Sequence, residues 1–242
     1  MKLGTMQCSA ESSDGEASGR LTPSTAAHLV PALTAAQSIQ PRPTFTAPPS
    51  RILPDLYLGD HGTSVNYKQL INLNITHVLN VKGGFRVPPS PYKEQLTIVS
   101  VPLSDFGDDV LSSKLAECFA VLDAAHSVGG SCLVHCSQGM NRSPSIVLCY
   151  LMCNPRLHWS LREAWTHVKG RRPMVSPHHL YWAQLEALEC EVHGIHEASL
   201  HAQEAGIYIP AAVLDDERLQ AQSHEQSHEE SIALTERDSV LE

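Results

Sequence analysis

Val134-His135-Cys136-Ser137-Gln138-Gly139-Met140-Asn141-Arg142-Ser143-Pro144 is the stretch on which the reading of the whole chain turns. Before it, Ser131-Cys132-Leu133-Val134 is short, apolar and bounded by Gly129-Gly130, the pattern of a buried strand. After it, Ser145 to Met152 is an unbroken apolar run, too long for a turn, and reads as a buried helix. Pro144 stands where a first helical residue would, and there its missing N–H costs nothing. The order is strand, tight loop, helix, with Cys136 leaving the strand and Arg142 entering the helix.

That order has chemical content. The first amides of a helix lack intrahelical partners, and the macrodipole places partial positive charge beside them. A loop curling over such an end aims several N–H groups at one point and makes an anion site. Cys136 opens the same loop, so its thiolate is stabilised there. A free cysteine has a pKa of about 8.5, and helix N-termini with cationic neighbours lower it to roughly 3.5–7.5. Arg142 supplies a planar fork suited to two phosphate oxygens at once. Gly139 lets the loop turn tightly and lets an oxyanion approach the backbone. A nucleophile and a phosphate cradle share one small loop.

With five residues between Cys and Arg, His135-Cys136-x-x-Gly139-x-x-Arg142-Ser143 resembles the signature of the cysteine-dependent protein phosphatases. The flanks Leu133-Val134 and Tyr150-Leu151-Met152 resemble the dual-specificity branch, and the resemblance runs from about Arg51 to Cys190. It implies an α/β fold, a single domain with a central, mostly parallel sheet flanked by helices. It also implies hydrolysis of phosphate esters through a phosphocysteine, without a metal or other cofactor. Kinase-directed members carry a basic docking motif and an extra domain ahead of the catalytic one. Here only Lys2, Arg20 and Arg42 are basic in the first fifty residues, so the chain is similar to the smaller, atypical type.

Bulk properties agree. A chain of 242 residues suits one domain with appendages. No run approaches the roughly 20 apolar residues of a membrane span, and the N-terminus has no basic start followed by an apolar core. Seven cysteines form no zinc-like pairs, and an odd count fits a reducing compartment, the cytoplasm with the nucleus also open. The formal charge of -9 is uneven: residues 51–190 carry 11 acids against 12 Lys and Arg, residues 215–242 carry 9 against 2. Without a basic stripe, nucleic acid is not an expected partner; phosphorylated proteins are, protein kinases among them.

Along the chain, residues 1–50 are rich in Ser, Thr, Ala and Pro and read as disordered, with Thr25 to Ile39 a transient helix or docking segment. Residues 51–193 form the catalytic domain and 194–242 an extension, partly helical and then a disordered acidic tail. Ile52 to Gly59 gives two short stretches joined by a Pro-Asp turn, and Ser64 has cap character for a helix through Leu73. Ile75–Val81 and Gln95–Val101 read as strands around a Gly- and Pro-rich loop. Leu111–Val128, Ser160–Val168 and Ser176–His193 read as helices. Strands alternating with helices predict layers around a mostly parallel sheet.

Thiolate attack on a phosphate ester expels an oxygen that needs a proton. Asp105, 31 residues before Cys136 in Val101-Pro102-Leu103-Ser104-Asp105, resembles the family's general acid. Asp108 and Asp109 are its competitors, and also read as caps of the next helix. In the mechanism the resemblance implies, Cys136 attacks, Asp105 protonates the leaving oxygen and then activates water. Arg142 and the amides of Ser137, Gln138, Gly139, Met140 and Asn141 hold the phosphate oxygens. Ser143 is similar to the hydroxyl that stabilises the leaving thiolate, and His135 to a buried histidine that orients the loop.

Other features carry less. One of Cys132, Cys149 and Cys153 is a candidate disulfide partner for oxidised Cys136. Arg171-Arg172-Pro173 reads as a basic turn, making a surface ion pair or a second-phosphate contact. Ser176-Pro177-His178 departs from the family's Ser-Pro-Asn. Trp159, Trp165 and Trp182 read as packing, and His193, His196 and His201 as a solvated face rather than a zinc site. Ile207-Tyr208-Ile209-Pro210 is either a docking patch or a trapped piece of the last helix. Without a Trp-Pro-Asp loop, the cleft is expected to be shallow enough for phosphoserine and phosphothreonine beside phosphotyrosine. Uncharged loop residues disfavour inositides. A catalytically silent phosphoprotein-binding module is the alternative from another class.

Overall fold

The computed structural model describes residues 48–84 and 87–214. The segment 1–47, with the Thr25 to Ile39 stretch in it, and the acidic tail from 215 lie outside the described residues.

Strands β1 (Ser50–Leu53) and β2 (Leu56–Gly59) pair antiparallel across the Pro54-Asp55 turn. β3 (Ile75–Asn80), β4 (Thr97–Ser100) and β5 (Ser131–His135) complete a five-stranded sheet in the order β1-β2-β5-β3-β4, parallel from β2 onward. β5 is central and buried throughout, which is why Ser131 to Val134 carries no polar alternation. Gly59 and Asn80 both pair with His135, so three strands end level and their loops leave one edge.

Both faces of the sheet are covered. On one lie α3 (Ser112–Ser127), α4 (Arg142–Cys153), α5 (Leu161–Arg171) and α6 (His179–His193), packed on Leu58, Leu79, Val81 and Val134. On the other lies α2 (Tyr67–Asn72), whose Leu70 meets Tyr57, Val78 and Leu133. α4 is buried on nearly every side, which accounts for its unbroken apolar run. Ile146, Leu148 and Leu151 are fully buried, each contributing about 1.5–3 kcal/mol. The helix that presents the loop is therefore fixed in place by its own core residues.

Several boundaries differ from expectation. α4 starts at Arg142, so Pro144 is its third residue, still inside the turn whose N–H groups lack partners. Ser64 does not cap a helix: it closes α1 (His61–Ser64), capped by Asp60, and Asn66 caps α2. Asp108 and Asp109 do not cap α3, whose cap residue Leu111 sends its N–H to Gln184 Oε1 at 2.8 Å. α6 starts at His179 rather than Ser176, and the substituted His178 is its cap, accepting the Leu180 N–H. β4 is shorter than Gln95–Val101 because Tyr92–Glu94 forms a 3-10 turn.

The folded unit also runs past the expected limit at His193. Leu200 and Ile207 are buried in the main core while Tyr208 is exposed, and the stretch lies beyond the end of α6 rather than within it. Buried Glu189 fastens it, accepting the N–H groups of Leu161 and Ser199, each at 2.7 Å, and the Ser199 hydroxyl at 2.6 Å. Trp165 and Trp182 pack edge to face at 4.9 Å. No helix among the described residues is long and apolar enough to cross a membrane.

Candidate active site

The loop from Cys136 to Asn141 is shaped from outside. His135 Nδ1 bonds the Cys136 carbonyl at 3.1 Å, and the His61 N–H that of Ser137 at 3.1 Å. Arg172 donates from Nη2 to the Gln138 carbonyl at 2.9 Å and from Nε to the Gly139 carbonyl at 2.8 Å. The Ser176 N–H takes the Met140 carbonyl at 2.8 Å, and Ser145 that of Asn141 at 3.2 Å. In a trans peptide C=O and N–H point opposite ways. Holding the carbonyls outward turns the next residues' N–H groups inward, over the mouth of α4, whose cap residue Asn141 makes no side-chain cap.

Gly139 is required twice over. Its φ is +69°, and a Cβ there would stand 2.4 Å from the Gly59 carbonyl oxygen and 2.7 Å from Arg172 Nη2. The backbone of β2 leaves no room for a side chain.

Cys136 is buried at the floor of this cradle. Its sulfur accepts the Gly139 N–H at 3.2 Å and the Ser143 hydroxyl at 3.3 Å. Burial pushes the thiol pKa up, but hydrogen bonds from Ser143 and from the Gly139 and Gln138 amides outweigh it, and the net shift is downward. Where burial outweighs a single backbone donor, it pushes Cys132 up to about 12 and Cys149 well above its ordinary value. The six described cysteines are free thiols; burial also pushes Cys118 up to about 12 and Cys153 upward, the opposite direction to Cys136. Burial lowers the His135 pKa to about 4, so the ring is neutral and its Nδ1–H supports the Cys136 carbonyl.

Arg142 is buried at 6% exposure, its Nη2 donating to Ser137 Oγ at 2.9 Å and Nη1 to the Leu103 carbonyl at 3.4 Å. Nε stands 3.1 Å from Asp105 Oδ1 as an ion pair, yet makes no well-aligned hydrogen bond. The carboxylate lies off the N–H axis, which leaves that donor for an incoming oxygen. Asp105 Oδ1 also accepts from Asn141 Nδ2 at 3.1 Å. Its competitors face elsewhere: Asp109 accepts the Ser104 N–H, and Asp108 is turned to the Ser104 side chain. Tyr181 donates to the Ser104 carbonyl at 2.7 Å and Gln184 to that of Asp109 at 2.9 Å, so α6 straps the acid loop.

Sequence reading missed the partners that lie far along the chain. Arg172 is not in a surface ion pair: it is buried at 3% exposure against loop carbonyls, while Arg171 is exposed and bonds the His167 carbonyl of its own helix. Tyr181, Gln184 and His178 carry no local signal of their roles. His193 Nε2 faces the Trp159 carbonyl and His201 pairs with Glu186 and Glu197. Among the described residues no three His, Cys, Asp or Glu side chains come together as a metal site.

This geometry has known counterparts. The family model described as "Dual specificity phosphatase, catalytic domain" matches residues 56–191, more than half of the chain. The chain belongs to the dual specificity phosphatase family. It is 36% identical over 144 residues to human dual specificity protein phosphatase 5, covering 60% of this chain and 36% of that protein. It is 38% identical over 141 residues to Arabidopsis thaliana dual specificity protein phosphatase 1, covering 58% and 69%. The crystal structure of human DUSP28 superposes with a TM-score of 0.53 at 31% identity, covering 61% of this chain and 96% of that one. The chain thus spans about a third of the human relative's length and about two thirds of the plant relative's. The phosphate loop, α4 and Asp105 all fall within the matched region.

Proposed function

We propose that the protein is a dual-specificity protein phosphatase that hydrolyses phosphotyrosine, phosphoserine and phosphothreonine esters. The observation that carries the reading is one loop holding the parts: the Cys136 sulfur, with its lowered pKa, accepts the Gly139 amide at 3.2 Å, and Arg142 at the loop's far end pairs with Asp105 at 3.1 Å. In the first step the Cys136 thiolate attacks phosphorus, the ester P–O bond breaks, and protonated Asp105 gives its proton to the leaving oxygen. In the second, the Asp105 carboxylate takes a proton from water as the water oxygen attacks phosphorus. The S–P bond then breaks, and Ser143 stabilises the departing thiolate. Arg142 and the loop amides hold the equatorial oxygens throughout.

The breadth of substrate is supported by the acid's position, since the Asp105 side chain is 58% exposed, which fits a shallow cleft. Ser137, Gln138, Met140 and Asn141 add no cation for a second phosphate, favouring phosphoproteins, protein kinases among them, over inositides. A reducing compartment, the cytoplasm, suits a low-pKa thiol that must stay reduced. The silent-module alternative has no support in a site that keeps Cys136, Arg142 and Asp105 together. An aryl phosphate assay with Cys136→Ser beside the wild type tests the reading: turnover abolished by the substitution supports it, and equal activity of the two refutes it.

A further inference from the structure

Asn141 occupies the cap position of α4, yet its side chain caps nothing. Its Oδ1 accepts the His178 N–H at 2.7 Å, and its Nδ2 donates to the Asp105 carbonyl at 2.9 Å and to Asp105 Oδ1 at 3.1 Å. The amide orientation is forced, because a backbone N–H can only donate and a carbonyl oxygen can only accept. One side chain thus joins three elements: the phosphate loop, the acid loop and the start of α6. The last two are already one body, since a Cβ on Gly107 would lie 2.6 Å from His178 Nδ1.

The two carboxylate oxygens of Asp105 are left unequal. Oδ1 faces Asn141 Nδ2 and the Arg142 guanidinium, each at 3.1 Å, while among the described residues Oδ2 has no such donor. A proton on Oδ1 would point at another donor; a proton on Oδ2 meets none. We propose that Asn141 is a positioning residue for the general acid, holding Oδ1 as an acceptor and leaving Oδ2 to deliver the proton to the departing oxygen. The proposal rests on the phosphatase reading above. The role grows once a phosphate is bound, because its oxygens compete for Arg142 Nε and Asn141 then remains to hold Oδ1.

The test compares Asn141→Ala with the wild type on phosphate esters running from dinitrophenyl phosphate to an alkyl phosphate. General acid catalysis contributes about 10²–10⁴-fold, and only poor leaving groups need it. The variant should lose kcat/KM about tenfold further on the alkyl ester than on the dinitrophenyl ester. In an Asp105→Asn background the same substitution should add less than about twofold, since residues acting through one another are not additive. Equal loss on every ester, or full additivity with Asp105→Asn, overturns the proposal. Amide hydrogen exchange gives a readout independent of turnover: peptides covering residues 101–111 should exchange faster in Asn141→Ala while β5 stays protected. Unchanged exchange there overturns it too. A wild type lacking Cys136-dependent turnover sinks the phosphatase reading, and the exchange result still decides whether Asn141 holds the acid loop.

Discussion

Arg172→Met separates a loop shaped by its own sequence from one held from behind. Methionine keeps much of the apolar stem and removes the fork, so the carbonyls of Gln138 and Gly139 lose donors at 2.9 and 2.8 Å. Hydrogen bonds to a charged donor are worth about 1.5–3 kcal/mol each, so roughly 3–6 kcal/mol of interaction is removed. Part returns, because the variant no longer buries a guanidinium whose desolvation already lowers its pKa. A net loss of about 2–4 kcal/mol in unfolding free energy is expected. Activity should fall further than stability implies. A released carbonyl lets its peptide rotate and withdraws the Gly139 or Met140 N–H from the cradle. Losing one such donor costs about 10²–10³ in kcat. Denaturant unfolding and kcat/KM on an aryl phosphate, measured well below the variant's Tm, give both quantities. Arg172→Lys should fall between, since an ammonium cannot reproduce the planar fork that spans both carbonyls. A methionine variant that melts lower but keeps kcat/KM within about threefold would show that the loop supports itself.

Three further outcomes follow from the same contacts. Ser143→Ala removes the donor 3.3 Å from the Cys136 sulfur, so the thiol pKa should rise, the acidic limb of the kcat/KM profile should move to higher pH, and kcat should fall more than kcat/KM; an unmoved limb contradicts this. His135 is held near a pKa of about 4 against 6.5 unfolded, so below pH 6.5 the unfolded chain takes up a proton that the fold refuses, and stability should drop by about 3 kcal/mol approaching pH 4. His135→Asn, which keeps an N–H donor, should flatten that loss in urea titrations at pH 7 and 4.5, and equal losses would refute a neutral buried ring. Gly139→Ala forces a left-handed alanine against the Gly59 carbonyl, costing about 2–4 kcal/mol and the response of Tm to added inorganic phosphate; a variant still stabilised by phosphate contradicts the close packing.

What the sequence made legible is local. β5, the loop and α4 were readable because Cys136, Gly139, Arg142 and Ser143 fall within one strand-to-helix turn, where spacing alone sets geometry. The parts that shape the loop were not readable, because they arrive by tertiary approach. Arg172 stands 33 residues beyond Gly139, and two adjacent arginines before a proline look solvated until α5 carries one of them inward. His178 obscured the start of α6 because imidazole is an uncommon cap, though its Nδ1 accepts as an oxygen would. Asn141 was visible as a loop residue but not as the link to Asp105, a pairing made across 36 positions. Ile207 was ambiguous since one apolar residue beside an exposed tyrosine fits either a surface or a core.

Rapid quenching of the enzyme during turnover of an aryl phosphate, followed by peptide mass spectrometry, tests the central chemistry most directly. One phosphoryl group should be found on Cys136, more of it in Ser143→Ala and none in Cys136→Ser. A phosphoryl group on another residue, or steady turnover by Cys136→Ser with no trapped intermediate, would contradict it.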